Sequence, residues 1–70
     1  MDNYKRLATE VKVLRAFKGL TQRELSEKSG VSESTIVFIE KCKKEPRPDT
    51  LIKIAKALDV DAERLLKYII

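Results

Sequence analysis

Apolar residues along the chain fall at helical, not strand, spacing. Leu7, Val11 and Leu14 recur every three or four positions, which predicts a first helix over about residues 4 to 18, ended by Gly19. Leu20 anchors the start of a second helix, over about residues 22 to 29, with Leu25 as its inward residue and Ser26 small enough for close packing. A third helix spans about residues 33 to 41. At 100° per residue Ser32, Thr35, Ile36, Ile39, Glu40 and Lys43 point broadly one way, and Ile36 and Ile39 mark that side as the core. Two prolines within Lys41-Cys42-Lys43-Lys44-Glu45-Pro46-Arg47-Pro48 interrupt the pattern and predict a loop. Pro48 suits the first position of a fourth helix bearing Leu51, Ile54, Ala55 and Leu58 on one face, with Val60 closing the turn after it. Asp61 is the expected cap of a fifth helix, which holds Leu65 and Leu66 and finishes with Tyr68, Ile69 and Ile70. No strand signal appears, so the expected fold is all-α, five short helices in one domain, residues 1–70.

The stretch from Leu20 to Ile36 is the densest in signals. Thr21 followed by Glu24 is a capping-box pattern, Gly30 supplies a residue able to end a helix at positive φ, and Ser32 is a fresh N-cap. One helix therefore stops and another starts almost at once, at a sharp angle. That is the layout of a helix-turn-helix that reads DNA.

Composition narrows the function. A chain of 70 residues buries only about 60% of its unfolded surface, so its core must be economical. Apolar content of 43% with 37% charged residues is globular, and no low-complexity or single-sign segment suggests a disordered tail. No run approaches the roughly 20 apolar residues of a membrane span, and the start of the chain lacks a signal-peptide core, so a cytoplasmic protein is expected. With one cysteine and no histidine, zinc sites and Cys/His or Ser/His catalysis lose their usual residues. Neither an enzyme nor a cofactor or metal is expected, and no sensor region for a small ligand is visible. A net charge of +4 and a pI near 9.4 fit a polyanionic partner. Abundant Lys and Glu beside a single Asn and a single Gln would also suit a thermophile.

Gln22, Glu24, Leu25, Gly30, Val31-Ser32, Thr35-Ile36, Ile39-Glu40 and Pro46, followed by Thr50-Leu51-Ile52-Lys53-Ile54-Ala55-Lys56-Ala57-Leu58, stand in an order that resembles the Cro and phage-repressor-like (XRE-type) helix-turn-helix family. The resemblance runs from about residue 7 to 67. It implies a five-helix, lambda-repressor-like DNA-binding domain whose third helix enters the major groove while the second crosses the backbone. Gln22 matches the position that contacts a phosphate and supports the reading residues. Glu33, Ser34, Val37 and Phe38 match positions facing base edges, Thr21, Ser32 and Thr35 look like backbone contacts, and Lys41, Lys43 and Lys44 sit where the loop meets phosphates.

The chain also departs from that family. Val31 to Glu40 contains no basic residue, so the reading helix brings nothing to grip guanine. Glu33 suits a cytosine amino group, while Val37 and Phe38 suit thymine methyls or an apolar patch for a protein partner. Cys42 stands where the family often has glycine, and a Cβ in a left-handed conformation costs on the order of 1 kcal/mol, which predicts a different helix end. A lone cysteine of this kind is an incidental small residue more often than a redox sensor. Glu40, on the inward side of its helix, needs a partner, because an unpaired buried charge costs several kcal/mol. Arg15, flanking the Val11 and Leu14 face, is the expected one, and the family resemblance implies the same structural pair.

Together these features predict a sequence-specific, double-stranded DNA-binding repressor. One 70-residue unit reads too few base pairs for selectivity, so it is expected to act as a homodimer on half-sites about 34 Å apart. The apolar ending, Leu66, Tyr68, Ile69 and Ile70, together with Phe17, is the expected dimer surface; the alternative is that Tyr68 and Ile69 merely close the core. Two other functions compete: a protein-interaction module on the same fold, and an antitoxin or restriction-modification controller binding its own promoter.

Overall fold

The computed structural model describes residues 2–43 and 45–69. Five helices follow in order: α1 (Asp2–Phe17), α2 (Gln22–Ser29), α3 (Glu33–Glu40), α4 (Pro48–Ala57) and α5 (Glu63–Leu66). No strand forms among the described residues. The core collects the inward stripe of each helix: Leu7, Val11 and Leu14 from α1, Leu25 from α2, Ile36 and Ile39 from α3, Leu51, Ile54 and Ala55 from α4, and Leu65 from α5. Each fully buried aliphatic side chain contributes roughly 1.5–3 kcal/mol through lost contact with water. Helix α3 packs against both α1 and α2, while α4 joins α2 to α5. The eight-residue α3 is thus held between the long α1 and the equally short α2.

Helix starts follow local chemistry. The Thr21 hydroxyl accepts the Glu24 N–H and the Glu24 carboxylate accepts the Thr21 N–H, completing the capping box of α2. Ser32 caps α3 by accepting the Thr35 N–H at 3.2 Å. Pro48 opens α4, where its missing N–H leaves nothing unsatisfied.

Helix ends depart more from expectation. Gly30, at φ 78°, ends α2 and donates to the Ser26 carbonyl. Cys42 keeps the left-handed conformation, φ 58°, that a side chain was expected to discourage. Its N–H donates to the Ile39 carbonyl and that of Lys43 to the Phe38 carbonyl, so two orphan carbonyls at the end of α3 are satisfied despite the strained residue. Asp59, φ 65°, ends α4 in the same way, with Val60 N–H on the Ala55 carbonyl. Helix α5 is only four residues long. Asp61 still serves its start, since its carboxylate accepts the Glu63 N–H at 3.0 Å, but residues 67–69 continue as turns instead of helix.

Candidate functional site

Three side chains converge where α1, α2 and α3 meet. Arg15 Nε donates to Glu40 Oε2 at 2.8 Å, and Arg15 Nη2 to Glu40 Oε1 at 3.0 Å, a two-pronged contact that matches guanidinium to carboxylate. Arg15 Nη1 donates to the Leu20 carbonyl at 2.9 Å, and Gln22 Nε2 to Glu40 Oε1 at 3.0 Å. Glu40 is 6% exposed, so its charge is withdrawn from water but met by three donors. The hydrogen bonds to Glu40 push the Arg15 pKa above its already high value, outweighing the opposing effect of burial. The network ties the end of α1, the start of α2 and the end of α3 into one rigid corner. The Gln22 and Leu20 contacts carry no periodic signal; only an inward carboxylate in need of donors hinted at them.

Helix α3 presents the residues expected at base edges. Glu33 and Ser34 are exposed on its first turn, and Phe38 is 44% exposed one turn on. Val37 is half-buried, so the expected outward apolar pair is mainly Phe38, with Val37 turned partly toward the body. The hydroxyls of Ser32, Ser34 and Thr35 cluster at the helix start, with Ser32 Oγ 2.7 Å from Thr35 Oγ1 and 3.4 Å from Ser34 Oγ. Hydroxyls and free N–H groups at a helix start suit an anion such as phosphate. Thr21 is exposed beside this face, and Gln22 is half-buried by its bond to Glu40, which leaves its carbonyl oxygen and second N–H for other partners.

Lys41 and Lys43 are exposed just beyond α3; Lys44 lies outside the described residues. Two long-range contacts bring the first turns of α1 to this loop. Tyr4 Oη donates to the Glu45 carboxylate, and Cys42 Sγ lies 3.5 Å from the Tyr4 carbonyl as its donor. The Glu45 contact raises the Tyr4 pKa, because a carboxylate acceptor favours the neutral phenol. Residues 41 apart in sequence give no local sign of such a contact.

The expected dimer residues divide. Phe17 is 82% exposed, whereas Leu66, Tyr68 and Ile69 are half-buried and pack against the core; Ile70 lies outside the described residues. Arg64 Nε reaches back from α5 to Glu10 of α1 at 2.9 Å. Among the described residues no group of His, Cys, Asp and Glu is placed to hold a metal ion, and no helix is long and apolar enough to cross a membrane.

Residues 11–65 match the model of a helix-turn-helix family, HTH_3. The chain is 40% identical over 62 residues to an uncharacterized HTH-type transcriptional regulator of Methanocaldococcus jannaschii, covering 89% of this chain and 94% of that one. Its fold is similar to that of the restriction-modification controller C.AhdI from Aeromonas hydrophila, with a TM-score of 0.88 and 26% identity, over 93% of this chain and 98% of that one. An HTH_3 family transcriptional regulator from Vibrio cholerae aligns with a TM-score of 0.84 and 28% identity over 91% of this chain, which spans only 36% of that longer protein.

Proposed function

The chain belongs to the helix-turn-helix family HTH_3, and from that premise we propose that it regulates transcription in the cytoplasm by binding double-stranded DNA sequence-specifically, as a homodimer that represses from a palindromic operator. The observation that supports this reading is the corner of Arg15, Gln22 and Glu40, which bonds the start of α2 to the end of α3 and so ties together the two helices of a helix-turn-helix. In it Glu33, Ser34, Val37 and Phe38 face bases. Thr21, Gln22, Ser32 and Thr35 contact the backbone, and Lys41, Lys43 and Lys44 provide the phosphate attraction that α3 itself lacks. The homodimer forms through Phe17 and the chain's ending, Leu66, Tyr68, Ile69 and Ile70, so that two reading helices meet successive major grooves.

A second reading within DNA binding is favoured by size: a restriction-modification controller from Aeromonas hydrophila superposes over nearly its whole length. A controller or antitoxin binds its own promoter, so footprinting on the chain's own upstream region identifies it. The protein-interaction module draws support from the exposed Phe38 on α3.

Selection of bound duplexes from a random pool tests the proposal. A palindromic consensus with steep salt dependence is the expected result; no enrichment even at about 50 mM salt, where phosphate contacts are strong, would sink it in favour of a protein partner.

A further inference from the structure

A groove of about 490 Å³ opens between the end of α2 and the second half of α4, lined by Lys28, Ser29 and Gly30 on one side and Lys53, Lys56 and Ala57 on the other. All three lysines are exposed, and none is held in an ion pair among the described residues. The acidic residues near them in sequence turn to other cations: Glu27 to Arg23 at 3.6 Å, Asp49 to Arg47 at 3.9 Å and Asp59 to Lys18 at 3.8 Å. The lining therefore carries three positive charges and no negative one. It also lies away from the residues proposed to meet a duplex. Gln22 starts α2, and Lys28 stands about 9 Å further along the axis at 1.5 Å per residue. The lysine loop precedes α4, whereas Lys56 belongs to the last turn of that helix.

We infer that this groove docks an acidic segment of a partner protein. Charge selects an anionic occupant, because three uncompensated ammonium groups around one concavity repel one another until an opposite charge enters. Two features then select a peptide over a phosphate backbone. The groove is framed by the carboxyl-terminal ends of α2 and α4, where helices leave carbonyls without helical partners and carry partial negative charge. Phosphate sites draw on N–H groups at the opposite end of a helix. Here the N–H of Gly30 is already bonded to the Ser26 carbonyl and that of Val31 to Ser29 Oγ. A protein segment brings both kinds of group this surface can use: carboxylates for the lysines and backbone N–H donors for the carbonyls. Ile52, 47% exposed, stands one turn before Lys56 and offers an apolar contact that a peptide side chain can use and a phosphate cannot. The lysine stems are long enough to follow carboxylates at varied spacing. Docking here leaves α3 open, so the acidic partner and a duplex can be held at once.

NMR titration of the isotope-labelled chain tests this with a synthetic peptide bearing consecutive glutamates and, in parallel, with inorganic tripolyphosphate and a random-sequence duplex. The peptide is expected to move the amide signals of Ser29, Gly30 and Ala57. Replacing Lys28, Lys53 and Lys56 together by Gln, a good helix former, should weaken peptide binding by at least about tenfold, the sum of three modest ion pairs. Replacing Lys5, Lys12 and Lys67 by Gln removes the same charge from exposed positions elsewhere and should leave peptide affinity within about twofold of the parent. A peptide that leaves the groove amides unmoved, or that is weakened equally by both triple variants, overturns the inference. Tripolyphosphate or the duplex moving those amides at lower concentration than the peptide also overturns it, and gives the groove to phosphate. Band shifts keep this apart from the DNA reading. The two triple variants should retard a selected duplex alike, whereas Lys41→Gln with Lys43→Gln should lose duplex and keep peptide. A chain that holds the peptide in the groove but retards no duplex leaves the docking site standing and removes the regulator.

Discussion

Gln22 Nε2 and Arg15 Nη2 donate to the same oxygen of Glu40, at 3.0 Å each, so the first residue of α2 is bonded to the last residue of α3. The start of α2 and the end of α3 are therefore tied to each other through one carboxylate. Gln22, proposed above for a phosphate contact, is thus also bonded to the helix proposed to read bases.

Replacing Gln22 with Glu sets a second carboxylate against Glu40. The expected outcome is a loss of about 1–3 kcal/mol of stability, from an unmade hydrogen bond and like-charge repulsion, with weaker binding to every duplex. Thermal melts and band shifts measure the two; an unchanged melting temperature would show that the Glu40 contact contributes nothing.

Arg15→Ala leaves a nearly buried carboxylate with Gln22 as its remaining donor. About 3 kcal/mol should be lost, which lowers Tm by more than about 10 °C in a domain of this size. The raised pKa of Arg15 fixes the sign of its pH dependence: its contribution is complete below its ordinary, already strongly basic value and is lost only above the still higher folded one. The difference between parent and variant should therefore be constant from neutral pH to about pH 11, as read by denaturant titration.

Lys41 and Lys43 are exposed beyond α3 and assigned to phosphates. Neutralising both with Gln should weaken binding to all sequences alike and reduce the slope of log K against log salt by about 1.8. A change confined to one base position would instead assign them to base reading.

Cys42 holds φ 58° at the end of α3, where glycine carries no Cβ penalty. Cys42→Gly should stabilise the chain by about 0.5–1 kcal/mol, the relief of left-handed strain less the extra freedom of the unfolded glycine. A melting temperature that falls would show that the Cys42 contact with the Tyr4 carbonyl outweighs the strain.

The Tyr4 pKa is raised from its ordinary value of 10.0 by the hydrogen bond that its neutral hydroxyl donates to the Glu45 carboxylate. The contact is present below that value and is lost as pH rises through the folded pKa, so it adds nothing in strong alkali. Glu45→Gln should return the Tyr4 titration toward 10.0, followed by its ring resonances in NMR. An unmoved titration would remove the contact between the first turns of α1 and the loop.

Local chemistry decided the elements. Thr21 with Glu24, Gly30, Ser32 and Pro48 mark the helix ends within a residue or so, because capping depends on groups three or four positions apart. Spacing alone likewise placed Leu7, Val11, Leu25, Ile36, Leu51 and Ile54 in the core. Arg15 with Glu40 was legible because an inward charge demands a partner, and that demand can be stated before the partner is seen.

Tertiary structure decided what depends on residues far apart. The Gln22 bond to Glu40, the Tyr4 contact with Glu45 and the Arg64 contact with Glu10 span 18, 41 and 54 positions, and periodicity carries no such information. It also decided which apolar residues remain in water: Leu66, Tyr68 and Ile69 pack against the core, while Val13 and Phe17, off the inward stripe of α1, stay out. A sequence states which side chains avoid water. Only the packed chain shows which of them the core had room to take.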